Sequence, residues 1–384
     1  MSLSRRSMLM AVGGAGLALV GVGAGTYQVT RTPRTATRPW NLASPVPEDV
    51  RLDALRHAIL APNPHNLQPW CFRLEGDDAL AILHDRERRL PETDPFDRQL
   101  TIGFGGMIEI ARMAAAARGY RIETSTFPNG VTENGLEGGV VARLKFVRDT
   151  GVVADPLFPA VPLRRSTKEP YDLTQALSPE LLARLVQEAA PMTQISGTAE
   201  PVQVTAIRQL VLDAGEIEGR TARTHLESVR LMRIGHVEID ASPDGIDLGG
   251  PMIEALRLVG QIDRTSLADA ASQAYKAGME SQRATYGSIP AALWIVTPSN
   301  TRLDQLTAGR AYVRANLRAT LLGLAMHPAS QSLQEYPEMR EPLSRAHQLL
   351  APRGGRVQML ARVGYGPQVP PSPRWPLQAK LVQA

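Results

Sequence analysis

The chain of 384 residues contains one cysteine, Cys71. No intrachain disulfide can form, and no cysteine cluster can hold a metal. Its seven histidines are scattered, with no His-x-x-x-His or Glu-x-x-His spacing, so neither a structural nor a catalytic metal is expected. Aromatic residues make up only 5% of the chain, and none interleave with a basic patch. The usual signature of nucleic-acid binding is therefore missing. Long apolar runs are missing too. The nearest candidate, Ala11–Gly25, is short and glycine-rich, which argues against a stable membrane span of ~20 apolar residues.

That apolar run follows Ser4-Arg5-Arg6-Ser7-Met8-Leu9. The pair of arginines before a modest apolar segment resembles a twin-arginine export signal, with Met8 in place of the usual Phe. Residues 1–38 are accordingly read as a leader outside the fold. Cleavage near Ala24 and retention as an uncleaved N-terminal anchor both stay open. The resemblance implies recognition by the twin-arginine export machinery and a periplasmic or cell-envelope location. The leader also explains the basic balance. It holds Arg5, Arg6, Arg31, Arg34 and Arg38 and no acid, so the +4 of the whole chain less this +5 leaves −1 for the remainder.

About 345 residues then follow, enough for two domains or one large one. A proline-rich linker, Pro33–Pro47, leads to a helix over 52–60. Strands are expected at Cys71–Leu74 and Ala79–Asp85, forming a hairpin across Gly76-Asp77-Asp78, and at Val140–Phe146. Gly103–Arg118 reads as a core helix with little on any face to solvate it. Pro179–Gln187 reads as a helix capped by Ser178. Two longer helical stretches, Val202–Val237 and Met252–Ser281, flank an Asp/Pro/Gly loop at 240–250. Ala291–Val296 is a wholly apolar strand, Asp304–Met326 a long helix and Arg356–Val363 a last strand. Gly138-Gly139-Val-Val-Ala-Arg-Leu resembles Gly354-Gly355-Arg-Val-Gln-Met-Leu, which suggests an internal duplication.

Two stretches carry chemistry. The first is Leu60–Phe72, where Pro62, Pro64 and Pro69 stiffen a loop crowded with Asn63, His65, Asn66 and Gln68. Such a loop suits a planar, hydrogen-bonding ligand, or it is an ordinary helix-to-strand turn anchored by Trp70. The second is Arg164-Arg165-Ser166-Thr167-Lys168. Three cations and two hydroxyls make a good anion site, because arginine presents a fork of N–H donors and lysine a mobile point charge. A solvated basic loop is the other reading.

The first stretch resembles the Pro-x-x-x-Asn-x-Gln-Pro-Trp signature of the FMN-dependent nitroreductase family, on Pro62, Asn66, Gln68, Pro69 and Trp70. The second is similar to that family's Arg-x-Ser-x-Lys/Arg element, and Asp94-Pro95-Phe96-Asp97-Arg98 resembles a segment of its Acg-like branch. The ending, Gly364 through Arg374-Trp375-Pro376, is similar as well. The resemblance implies an α+β fold, a mixed, largely antiparallel sheet wrapped by helices. It implies FMN as cofactor, held at the loop by Pro62, Asn63, Pro64, Asn66 and Gln68. Its phosphate would lie on Arg164, Arg165, Ser166, Lys168 and Arg374. Backbone N–H groups of Ala329 and Ser330, after the second long helix, would approach the flavin N5. His327 is expected to cap or pack.

The duplication places a first half at 39–150 and a second at 151–384, with a helical insertion at 202–281. The covering loop lies in the first half and the phosphate element in the second, so a monomer mimicking a dimer, with one FMN per chain, is expected. Two functions stay open. One is two-electron transfer from an unknown donor, through FMN, to a nitroaromatic or quinone-like acceptor. The other is FMN binding or sequestration without turnover.

Overall fold

The computed structural model describes residues 33–42, 45–132, 134–137 and 139–383. The twin-arginine segment and the apolar run behind it lie outside the described residues. Residues 33–38, read as the end of a leader, are part of the fold. Ala36 is buried, its N–H donates to Asp240 Oδ1 at 2.8 Å, and its carbonyl accepts from the Arg374 N–H.

The first half opens with α1, Val50–Ala58, whose N-cap Asp49 accepts a hydrogen bond from the Arg51 N–H. Strands β1 (Trp70–Glu75) and β2 (Ala79–His84) form the expected hairpin. Helix α2 (Arg98–Ala116) follows, then β3 (Tyr120–Thr126) and β4 (Val140–Arg148). The second half opens with α3, Pro179–Ala189, capped by the Ser178 side chain. Strand β5 (Gln194–Thr198) leads into the insertion. There lie α4 (Pro201–Arg220), α5 (Ala222–Leu231), β6 (Met232–Ile234), α6 (Gly235–Ala241), β7 (Ile246–Leu248), α7 (Pro251–Leu258), α8 (Arg264–Ala268) and α9 (Gln273–Gly287). The chain returns with β8 (Ala291–Thr297), α10 (Arg302–Leu321), β9 (Ala325–Pro328), α11 (Arg340–Leu350) and β10 (Arg356–Gly364).

The strands form two four-stranded sheets, ordered β1-β2-β4-β3 and β5-β8-β10-β9. Numbered within its own half, each reads first–second–fourth–third. All pairings in both are antiparallel. Among the described residues, parallel pairing is confined to β6 with β7 and an isolated Phe72–Leu381 bridge.

The halves meet where α2 crosses α10. A Cβ on Gly105 would lie 2.0 Å from the Leu306 carbonyl oxygen, and one on Gly309 would lie 1.8 Å from that of Ile102. Gly105 and Gly309 are each the eighth residue of their helix, and Ile102 and Leu306 each the fifth. The contact is thus self-complementary, as across a two-fold axis. Leu306, Val313 and Leu317 of α10 enter the core of the first half, and Ile102 of α2 enters that of the second.

The long helix expected over 304–326 ends at Leu321. Gly323, at φ 70°, turns the chain into β9. The helices expected over 202–237 and 252–281 are each broken into shorter ones.

Candidate functional site

A cavity of about 540 Å³ lies between the two halves and under the insertion. Pro62, Asn63, Pro64 and Asn66 line it from the loop, with Gly103 and Gly106 of α2 and Gly309 and Tyr312 of α10. Arg164, Ser166, Lys168 and Arg374 line one end, and His327, Ser330 and Gln331 the side below β9.

The loop is held in an uncommon shape. His65, Asn66 and Gln68 have φ of 46°, 54° and 52°, a left-handed region that non-glycine residues enter only when the surroundings impose it. Its own amides impose it. The Gln68 N–H donates to Asn63 Oδ1 at 2.7 Å, and Gln68 Nε2 donates to the Pro243 carbonyl at 2.7 Å. Gln68 Oε1 accepts from the Trp375 N–H at 2.9 Å, Asn66 Nδ2 donates to the Pro373 carbonyl at 3.0 Å, and Asn66 Oδ1 accepts from Arg374. The sequence reading of Gln68 as a ligand is therefore corrected. It is fully buried, outside the cavity lining, and ties the loop to the tail and the insertion. Asn66 lines the cavity, but its amide is engaged by the tail.

At the cationic end, Arg164 and Arg374 are 2% exposed and make no ion pair with a carboxylate among the described residues. Several of their partners are backbone carbonyls just past α1. Arg164 Nη2 donates to Leu60 O at 3.0 Å, and Arg374 donates to Ile59 O at 2.9 Å and Ala61 O at 3.1 Å. The carbonyl end of a helix attracts cations, but its partial charge of roughly one half does not balance two guanidiniums. Arg164 Nε has no partner. Burial lowers the Arg164 pKa to about 10, and burial with Arg164 alongside holds that of Arg374 well below its ordinary value. An uncompensated buried charge is costly, and an anion in the cavity would relieve it.

Arg374 was read as free for phosphate. The structure corrects this, since all three of its nitrogens already donate to the chain. It supplies charge and fixes the tail. The side chain of Arg165 is engaged elsewhere, which leaves only its backbone for the role expected of it. Its Nη1 donates to Pro162 O and Arg164 O, and its guanidinium lies 4.8 Å from the centre of the Trp40 ring, outside the cavity lining. Trp40 escaped the sequence reading. The guanidiniums of Arg164 and Arg374 flank the same indole at 5.6 and 5.3 Å, and its Nε1 donates to Ser372 O at 2.7 Å. A lone tryptophan within a proline-rich segment gives no sequence signal of such a role. Lys168 is the most accessible cation, with Nζ 3.5 Å from Asp247 Oδ1.

Below β9, the Ala329 N–H donates to Leu360 O at 2.8 Å, so the reading of Ala329 as a donor to a ligand is corrected. The Ser330 N–H has no partner among the described residues, and Ser330 lines the cavity. His327 lies beside Tyr286, ring centres 5.7 Å apart, and its Nδ1 accepts from Arg362 Nε at 3.2 Å. Burial, then Arg362 and Lys168, hold its pKa well below the usual histidine value. The neutral ring therefore carries its proton on Nε2. The insertion supplies the rest of the wall, including Glu218, Tyr286, Met232 and Leu248, none of which the sequence singled out.

No family model matches the chain. It is 28% identical over 341 residues to a Mycobacterium tuberculosis protein named "Putative NAD(P)H nitroreductase", covering 87% of this chain and 91% of that one. A second M. tuberculosis protein of that name, with the suffix acg, is 37% identical over 84 residues, 22% of this chain and 25% of that one. Among solved structures, the FMN-dependent nitroreductase NfnB from Mycobacterium smegmatis, in complex with NADPH, aligns with a TM-score of 0.33 at 13% identity. That alignment covers 54% of this chain and 86% of that one.

Proposed function

We propose that this chain is an oxidoreductase of the nitroreductase type that binds one FMN in the cavity between its halves and passes two electrons to a nitroaromatic or quinone-like acceptor. The observation that carries the reading is the pair of buried guanidiniums, Arg164 and Arg374, with no carboxylate partner at one end of a roomy cavity. A dianionic phosphate fits that end. Gly103, Gly106 and Gly309 bring helix backbone to the wall, where a Cβ on each would meet the loop or the facing helix. Similarity along most of the chain to a protein named as an NAD(P)H nitroreductase supports the same reading.

When bound, FMN supplies hydride chemistry at N5. The chain's own residues do the rest. Arg164 and Lys168 offer charge-assisted hydrogen bonds, with Ser166 beside them. Asn63 and Pro64 would hold the cofactor from a loop already locked in shape. The Ser330 N–H is a free donor beside the second sheet. Purified protein lacking residues 1–32 should be yellow and release FMN on denaturation. Colourless protein that takes up no FMN on titration would end this reading.

Enclosure by the insertion favours a second reading, an FMN-sequestering protein without turnover. Stopped-flow reduction of the bound flavin by NADPH and by dithionite separates the two. A flavin that neither reduces removes the enzyme. We further propose a monomer with one site per chain, exported by the twin-arginine route with its leader either cleaved near Ala24 or retained as an anchor. Light scattering with flavin quantification tests the first part, and fractionation of Arg5→Lys/Arg6→Lys cells the second.

A further inference from the structure

On the insertion side of the cavity, three buried oxygens have no hydrogen-bond partner. Glu218, on α4, is 6% exposed. Its Oε1 accepts from Gln334 Nε2 at 3.1 Å, and its Oε2 has no partner of hydrogen-bond geometry, although the Gln331 amide lies close enough to act on the carboxylate. Gln334 Oε1 is also unpartnered, and turning that amide would set its oxygen against the carboxylate. Gln331 Nε2 donates to the Tyr286 hydroxyl at 2.6 Å, leaving Gln331 Oε1 unpartnered. All three side chains line the same cavity. Buried polar groups are almost always paired, and three unpaired acceptors in one wall point to a missing donor. The insertion contributes apolar Met232, Leu248, Ile253, Leu256, Ile262 and Leu267 to the lining, along with polar Ser228, Gln273, Ser281 and Gln282.

We propose that Glu218, Gln331 and Gln334 form a subsite for an aromatic ligand that presents O–H or N–H groups on an otherwise apolar body, such as a dihydroxy- or diamino-arene. Its role rests on the oxidoreductase reading, in which it would hold the second reactant rather than the cofactor. The wall accepts hydrogen bonds and does not match the oxygens of a phosphate or carboxylate, so the two ends of the cavity select opposite chemistry. Burial raises the Glu218 pKa, and a donor placed on Oε2 would offset the desolvation that causes this.

Three probes of one shape test the subsite by calorimetry on FMN-loaded protein under anaerobic conditions: 1,4-dihydroxybenzene, 1,4-diaminobenzene and 1,4-dimethoxybenzene. At least one of the first two should bind about tenfold more tightly than the dimethoxy compound, and the better of the two identifies the donor class. Glu218→Leu should abolish that preference and Glu218→Gln should retain most of it. Gln331→Leu, at a less buried position, gives a second reading should Glu218→Leu fail to fold. Equal binding of all three probes overturns the proposal, as does a preference that survives in whichever of the two leucine variants folds. Protein that takes up no FMN would break the functional reading, and the same titration on it still tests the subsite.

Discussion

The two halves share a sheet order and a central helix, yet they differ sharply in what joins the first strand to the second. In the first half a tight turn connects β1 to β2. In the second, residues 199–290 intervene between β5 and β8. The shared parts make a rigid frame around the α2–α10 crossing. The unshared parts make the cavity asymmetric, with the locked loop from one half, the cations from the other and the insertion as roof. A self-complementary frame would by itself generate two equivalent sites. Unequal loops leave one furnished cavity.

The same substitution should therefore act with opposite sign in frame and roof. Gly309→Ala puts a methyl 1.8 Å from the Ile102 carbonyl oxygen, a backbone atom that cannot swing away. The helices must separate, and the loss should exceed about 3 kcal/mol, with Gly105→Ala close behind. In α9 of the roof, a Cβ on Gly278 meets nothing within 4 Å, and its φ is not positive. There Gly278→Ala should stabilise by about 0.5–1 kcal/mol, because alanine loses less backbone freedom on folding. Urea midpoints of the variants test this. Equal signs would mean that the crossing is not the clamp between the halves.

Much of the frame was legible in the sequence, and the reason is burial. The strands expected at 79–85, 140–146, 291–296 and 356–363 became the four inner strands. The strands missed in the two four-stranded sheets, β3, β5 and β9, are all edges. β3 buries only Ile122, so no alternation marks it, and β5 is Gln-Ile-Ser-Gly-Thr. An edge strand needs only one partner and one half-buried face, which leaves its composition free. The site was legible as a set of residue types but not as a division of labour. Arg374, Gln68 and Asn66 read as ligands because amides and guanidiniums bind anions and heterocycles. In the fold those donors hold the loop to the tail, and long-range pairing of that kind leaves no local pattern. The insertion's Glu218 and Tyr286 carried no motif.

The loop and the cradle differ in how far binding and folding are joined. Arg374→Ala removes a buried side chain that donates to Ile59, Ala61, Asn66 and Pro373. Leaving those acceptors bare should cost about 2–4 kcal/mol of stability, as well as weakening FMN binding. Lys168, about half exposed and loosely placed by Asp247, should behave otherwise. Lys168→Ala should lower FMN affinity about tenfold with no measurable change in melting temperature. Thermal melts with and without FMN distinguish the pair. A fully stable Arg374→Ala variant would show that the tail is not anchored there.

The last contrast sets one strand end against its counterpart. His84, at the end of β2, is 3% exposed, packs edge-on against Phe104 at 6.2 Å, and has no partner for either ring nitrogen. At the end of β8 stands Thr297, which does not titrate and donates its hydroxyl to Ser299 O. Burial lowers the His84 pKa from 6.5 to about 4. Between those values the unfolded chain binds more protons than the folded one, so this group makes stability fall as pH drops from about 6.5 towards 4. Asp94 acts the other way, because burial raises its pKa to about 6 and the folded chain then binds more protons between 3.8 and 6. Comparing the parent with His84→Leu cancels the Asp94 contribution. The stability lost between pH 7 and pH 5 should be smaller in the variant by about 1–2 kcal/mol. Urea unfolding at the two pH values measures it, and parallel losses in both proteins would mean that His84 is protonated without cost in the fold.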